Sequence, residues 1–197
     1  MVNHLAHLYL AKNNKDLLIG NFIADAVKGR QIETFSKGIQ KGTVMHRAID
    51  TFTDSHDVVK KSIIKFRPQL HKYAGIAVDV VYDHFLAKNW SDYHHEPLQD
   101  YAAQMYDLLN ENSKILPLNS QRFLFYMTSR NMLFYYQELA HLQMVFNGMS
   151  KRSKFTSGLE KSVEILESNY LEIEAEFKEF FESLCEYISN EYPANLE

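Results

Sequence analysis

Asp79 and Asp83 stand four residues apart inside one of the most apolar segments of the chain, Gly75 to Ala87, and His84 adjoins the second. On a helix that spacing stacks both carboxylates on one face, about 6 Å apart between Cβ atoms. A bare carboxylate costs several kcal/mol to bury, and a second one beside it adds repulsion. A cation, a basic side chain or a shared proton must compensate them. His46 and Asp50 repeat the spacing in the polar run Met45 to His56, which also holds Asp54. His7 and Asp25 add two further candidates. Imidazole and carboxylate together ligate Mn, Fe, Zn or Mg, and carboxylates shift the preference toward the harder ions. The chemistry suggested is a metal site built from several helices.

Each of these residues also has a plainer role. His7 can be a core histidine bonded to a carbonyl, Asp25 can pair with Lys28, and His46 and Asp50 can form only an intrahelical pair. His4, His56, His71, His94, His95 and His141 read as surface or boundary residues. No Gly-rich phosphate loop, zinc cysteine pattern or nucleophile elbow competes. Cys185, among acidic neighbours, is not set up as a reactive thiol.

The elements that must position these groups are helical. The chain has 197 residues with only seven glycines and four prolines, which favours long helices. An apolar segment Leu5–Leu10 comes first. A short helix follows from Asp16, its expected N-cap, to Val27. Further helices are expected over Ser36–Phe52, Val58–Lys72, Tyr73–Asn89, Pro97–Asn110 and Ser120–Gln137. Gly148 to Arg152 marks a break. The last helix runs from Gly158 to Ser189, with apolar positions at Val163, Leu166, Tyr170, Ile173, Phe177, Phe180 and Leu184 at steps of three and four. No repeat or linker divides the chain, so residues 1–197 read as a single all-α domain.

Composition narrows the setting. Hydrophobic residues make up 46%, which is globular. The single cysteine excludes an intramolecular disulfide framework and suits a reducing cytoplasm. There is no signal-peptide pattern at the N-terminus, and no apolar stretch approaches the roughly 20 residues that span a bilayer. The protein is expected to be soluble and cytoplasmic, with neither nucleic acid nor membrane as partner. Net charge is −4, yet residues 28 to 72 carry ten basic residues against four acids, and residues 158 to 197 carry eleven acids against Lys161 and Lys178. Such faces are usually solvated surface; the alternative is that the basic stretch attracts an acidic partner or a phosphate.

At these residues the chain resembles the acyl carrier protein phosphodiesterases, distant relatives of the HD-domain phosphohydrolases. The matching pieces are Asn3-x-Leu5-Ala6-His7-Leu8, Gly20-Asn21-x-x-Ala24-Asp25, Gly38-Ile39, Met45-His46-Arg47-x-Ile49-Asp50-x-x-Thr53-Asp54, Asp79-Val80-x-x-Asp83-His84-Phe85-Leu86 with Trp90, and Asn147-Gly148-Met149-Ser150-x-Arg152. They occur in order over most of the chain and are densest before Trp90. His4 stands where an aromatic is expected, and Met132 where a tryptophan is.

The resemblance implies an HD-like helical bundle and a metal-dependent hydrolase. It would release 4′-phosphopantetheine from holo acyl carrier protein to give the apo form. It implies a divalent ion, Mn²⁺ first and Mg²⁺ or Fe²⁺ as alternatives, held by residues drawn from His7, Asp25, His46, Asp50 and Asp83. Asp79 and His84 would support the chemistry, and Arg47 would hold the phosphate. The acidic carrier would dock on the basic stretch between Lys28 and Lys72. Two other readings stay open: an HD-like phosphohydrolase acting on a small phosphate ester or nucleotide, and a non-catalytic carrier-protein binder.

Overall fold

The computed structural model describes residues 4–193; Asn3 of the first motif lies outside them. Eleven α-helices are present among the described residues: α1 His4–Leu10, α2 Lys15–Ile23, α3 Lys37–Ser55, α4 Asp57–Leu70, α5 Ala74–Lys88, α6 Leu98–Glu111, α7 Leu118–Ser129, α8 Met132–Tyr135, α9 Leu139–Arg152, α10 Ser162–Ser168 and α11 Tyr170–Glu191. No strand occurs among them, as an all-α fold requires. Among the described residues, no helix is long and apolar enough to cross a membrane.

Sequence explains the layout. α5 is apolar on nearly every side and runs through the core, with Ala77, Val78, Val80, Val81, Phe85 and Leu86 fully buried. A helix buried all round must be enclosed by others. α1, α4, α9 and α11 all pack against it. α11 presents Ile173, Phe177, Phe180, Leu184 and Ile188 to the core at steps of three and four.

Four local expectations change. Asn14, not Asp16, caps α2, accepting a hydrogen bond from the Leu17 N–H at 3.1 Å. Asp16 instead accepts one from Ser36 Oγ at 2.8 Å, joining the starts of α2 and α3. The helix expected over Ser120–Gln137 is split into α7 and α8 by Asn131, whose left-handed backbone (φ 45°) is one that asparagine tolerates. Leu133 N–H then donates to Tyr106 Oη at 2.8 Å. Gly148 lies within α9 rather than at a break, because the burial of Leu142, Val145 and Phe146 outweighs the helix penalty of one glycine, about 1 kcal/mol. The last helix is interrupted at Asn169, whose side chain donates back to Ile165 O at 2.8 Å.

Candidate metal centre

The site begins where α2 crosses α3, the most extensive helix pairing in the fold. Gly20 and Gly42 meet there backbone to backbone. A Cβ added to Gly42 would lie 2.6 Å from Leu17 O and 2.8 Å from Gly20 Cα. Only glycine at both positions allows this approach. It brings Asp25, just past α2, against His46 of α3.

The third contributor, α1, is fixed by Asp83. Its Oδ2 accepts from Leu5 N–H and its Oδ1 from Ala6 N–H, each at 2.9 Å. These are first-turn amides of α1, groups a helix cannot satisfy internally. Asp83 on α5 therefore holds the helix that carries His7.

His7, His46 and Asp50 converge. Their ligand atoms all lie within 4.8 Å of one another. His7 Nε2 is 3.3 Å from Asp50 Oδ1, and His46 Nε2 is 3.4 Å from Asp50 Oδ2 and 3.5 Å from Asp25 Oδ1. The two imidazoles stack with centroids 4.0 Å apart. Both histidines are buried, and Asp25 sits at the rim with its side chain 51% exposed.

Hydrogen bonding sets the tautomer of His7. Asn21 Nδ2 donates to Leu17 O at 3.0 Å, which leaves Asn21 Oδ1 as the acceptor facing His7 Nδ1 at 3.1 Å. Nδ1 thus carries the proton, and Nε2 turns its lone pair toward Asp50. A lone pair against a carboxylate oxygen is repulsive without a cation between them. His7 Nε2, His46 Nε2 and Asp50 Oδ1 are all buried and have no hydrogen-bond partner. Buried polar atoms are almost always satisfied, so three orphans meeting at one point are compatible with a divalent cation held between them. Burial also holds the His7 pKa below its ordinary value, keeping the imidazole neutral and ready to ligate. The residues fit a divalent cation.

The other candidates lie elsewhere. Asp83 is fully buried on the α1 amides, and burial raises its pKa well above the ordinary value; it is not part of the converging group. Asp79 is partly buried, and burial, then the charges of Asp54 and Asp50, push it up to about 7. His84 is committed on both nitrogens. Its Nδ1 donates to Tyr136 O at 2.8 Å, so its Nε2 accepts from Tyr170 Oη at 2.7 Å, tying α5 to α11. Arg47 is exposed on α3 beside His46. Burial pushes the Cys185 thiol up to about 11, which leaves it unreactive. Asn21 is the residue to which sequence reasoning gave no role. Its one signal is a polar side chain inside the apolar run Leu17–Ile23, four residues before Asp25.

The sequence model of the acyl carrier protein phosphodiesterases matches residues 2–184. The chain belongs to that family. Curated acyl carrier protein phosphodiesterases from Escherichia coli O6:H1 and Klebsiella pneumoniae are each 34% identical to it. The first alignment covers 95% of this chain and 98% of the relative, the second 96% and 98%. The enzyme of that name from an Enterobacter species is 34% identical over 91% of this chain and 94% of its own length. No solved structure matches the chain significantly. The motifs that carry the family likeness include every residue of the converging group, and Asn21 and Asp25 beside it.

Proposed function

We propose that this protein is a metal-dependent phosphodiesterase of the cytoplasm. It hydrolyses the bond between 4′-phosphopantetheine and the carrier serine of holo acyl carrier protein. Family membership supports the substrate. The observation that carries the metal dependence is the meeting of three partnerless buried atoms, His7 Nε2, His46 Nε2 and Asp50 Oδ1.

His7, His46 and Asp50, with Asp25 at the rim, would hold a divalent cation, Mn²⁺ first. Bound there, the cation supplies positive charge against the phosphoryl oxygens and acidifies water. The protein's own groups do the rest. Asn21 keeps His7 in the ligating tautomer, the role that a bond to the second ring nitrogen plays in metal sites generally. Asp83 fixes α1 and with it the position of His7. Asp25 is open to solvent on the side from which a bulky protein substrate must approach. Asp79, beside Asp50 and Asp54, is the carboxyl able to hold a proton near neutral pH, which suits exchange with the leaving serine oxygen. Arg47 has the fork that grips phosphate oxygens.

The test is direct. Purified protein is incubated with holo carrier and Mn²⁺, and the carrier is weighed by mass spectrometry. Loss of the 4′-phosphopantetheine mass, abolished by a chelator and by His46→Ala, supports the reading. An unchanged carrier with Mn²⁺, Mg²⁺ and Fe²⁺ alike overturns it, and turnover of nucleotides instead would assign the site to a small phosphate ester.

A further inference from the structure

A groove enclosed by α7, α8 and α9 has His4 of α1 at one end and, at the other, basic residues that form no ion pair among the described residues. Its inner pocket, about 210 Å³, is lined by His4, Phe123 and Met149. Its outer pocket, about 450 Å³, is lined by Arg130, His141, Met144 and Lys151. Tyr126, Met132, Val145 and Arg152 line both, so the two are continuous. His4 stands one helical turn before His7 on α1, its ring 4.5 Å from that of Phe123, and it feels the charges of His7, Asp25 and His46. The inner end is thus marked by a residue one turn from His7.

The chemistry of the groove is that of a surface for an acidic, partly apolar partner. Residues 112 to 159 hold six basic side chains and one acid, Glu138. Arg130, Lys151 and Arg152 are exposed at the outer pocket, and none forms an ion pair among the described residues. Between them, Met144 is 63% exposed beside Val145, and methionine adapts well to a docked helix. His141, buried, keeps an Nε2 with no partner at the same pocket. In the basic stretch favoured by sequence, Lys28, Lys37, Lys41, Lys61, Arg67 and Lys72 form no ion pair among the described residues, but part of the charge is withdrawn. Lys65 is withdrawn into pairs with Glu176 at 2.6 Å and Glu172 at 3.2 Å, and Lys60 pairs with Asp57 at 2.9 Å.

We infer that the α7–α9 groove is the docking surface for the acidic face of the carrier substrate. Apolar side chains of the carrier seat between Met144 and Val145, and its carboxylates meet Arg130, Lys151 and Arg152. The carrier serine and its phosphodiester then fall at the inner end, beside His4, one turn from His7. This inference rests on the phosphodiesterase reading above.

The test is Arg130→Glu with Lys151→Glu, both exposed; Arg152 is spared because it packs over Gly148. KM for holo carrier should rise about tenfold or more, with kcat falling by less than about threefold, because reversed rim charges weaken encounter more than chemistry. The salt sensitivity of kcat/KM should flatten in the same variant. Lys60→Glu with Lys61→Glu should shift KM by no more than about twofold. Met144→Glu, at an exposed position that tolerates charge, gives a second measurement with the same expected direction. Carrier KM unmoved by both groove variants, or moved as much by the Lys60 and Lys61 pair, overturns the inference while wild-type turnover leaves the enzyme reading standing. A wild-type protein inert toward holo carrier overturns both.

Discussion

Replacing Gly42 by alanine should destabilise this protein, although the same change in an ordinary helix stabilises it. Alanine gains about 1 kcal/mol over glycine in a helix interior. At Gly42 the new methyl would stand 2.6 Å from Leu17 O and 2.8 Å from Gly20 Cα, well inside ordinary contact. Both neighbours are backbone, so no rotamer change relieves the overlap, and α2 and α3 must separate. Overpacking of this kind costs up to about 3 kcal/mol, and subtracting the gain of about 1 leaves a net loss of about 2 kcal/mol. Gly75 in α5 is the internal control: its added Cβ meets only Ile63 Cδ1, at 3.9 Å. Gly75→Ala should therefore be neutral or stabilising by up to about 1 kcal/mol. Urea unfolding of the metal-free variants reads both as shifts in midpoint at constant slope. Separation of the helices also pulls Asn21 and Asp25 away from His46 and Asp50, so Gly42→Ala should bind Mn²⁺ more weakly in a titration. A Gly42→Ala protein as stable as wild type would refute the claim that this crossing builds the site.

Three further outcomes follow from the site. Asn21→Leu should weaken Mn²⁺ binding by about 10- to 100-fold, measured by calorimetric titration, because it frees the His7 tautomer without removing a ligand. Asp83→Asn should cost about 1–3 kcal/mol in metal-free urea unfolding, since an amide cannot accept from both Leu5 and Ala6 N–H; a pure ligand role predicts no loss there. Asp79 has its folded pKa raised to about 7 from 3.8, so metal-free wild type should lose stability as pH rises between those values. Asp79→Asn should escape that loss, its advantage in melting temperature growing from pH 4 to 7 and levelling above; a constant difference across that range would contradict the placement of Asp79.

What was legible in the sequence is what one helix fixes by itself. The His46–Asp50 pair is set by spacing alone, and the all-α fold by sparse glycine and proline with long apolar periodicities. Convergence with His7 and Asp25 is not local. It depends on Gly20 meeting Gly42 and on Asp83 reaching the amides of Leu5 and Ala6, 78 and 77 residues away. The spacing of Asp79 and Asp83 signals carboxylates in need of compensation, and the fold buries Asp83 fully and Asp79 in part. Spacing points to a cation, a basic side chain or a shared proton; for Asp83 the compensation is a helix N-terminus, which no spacing rule announces.

Charge shows why a linear count misleads. The basic stretch from 28 to 72 and the acidic stretch from 158 to 197 look like two separate surfaces, but folding lays α11 against α4. Lys65 then meets Glu172 and Glu176, and Glu176 is held further by Ser62 Oγ at 2.6 Å. Lys88 likewise meets Glu174 at 3.3 Å. Opposite charges that are far apart in sequence thus cancel within the fold. The cations left to act on a partner are those that folding does not pair. Arg130, Lys151 and Arg152 are among them, and they stand at the outer end of the groove that has His4 at its inner end. Attraction for an acidic partner thus follows from which cations the fold leaves unpaired, not from how many a stretch of sequence contains.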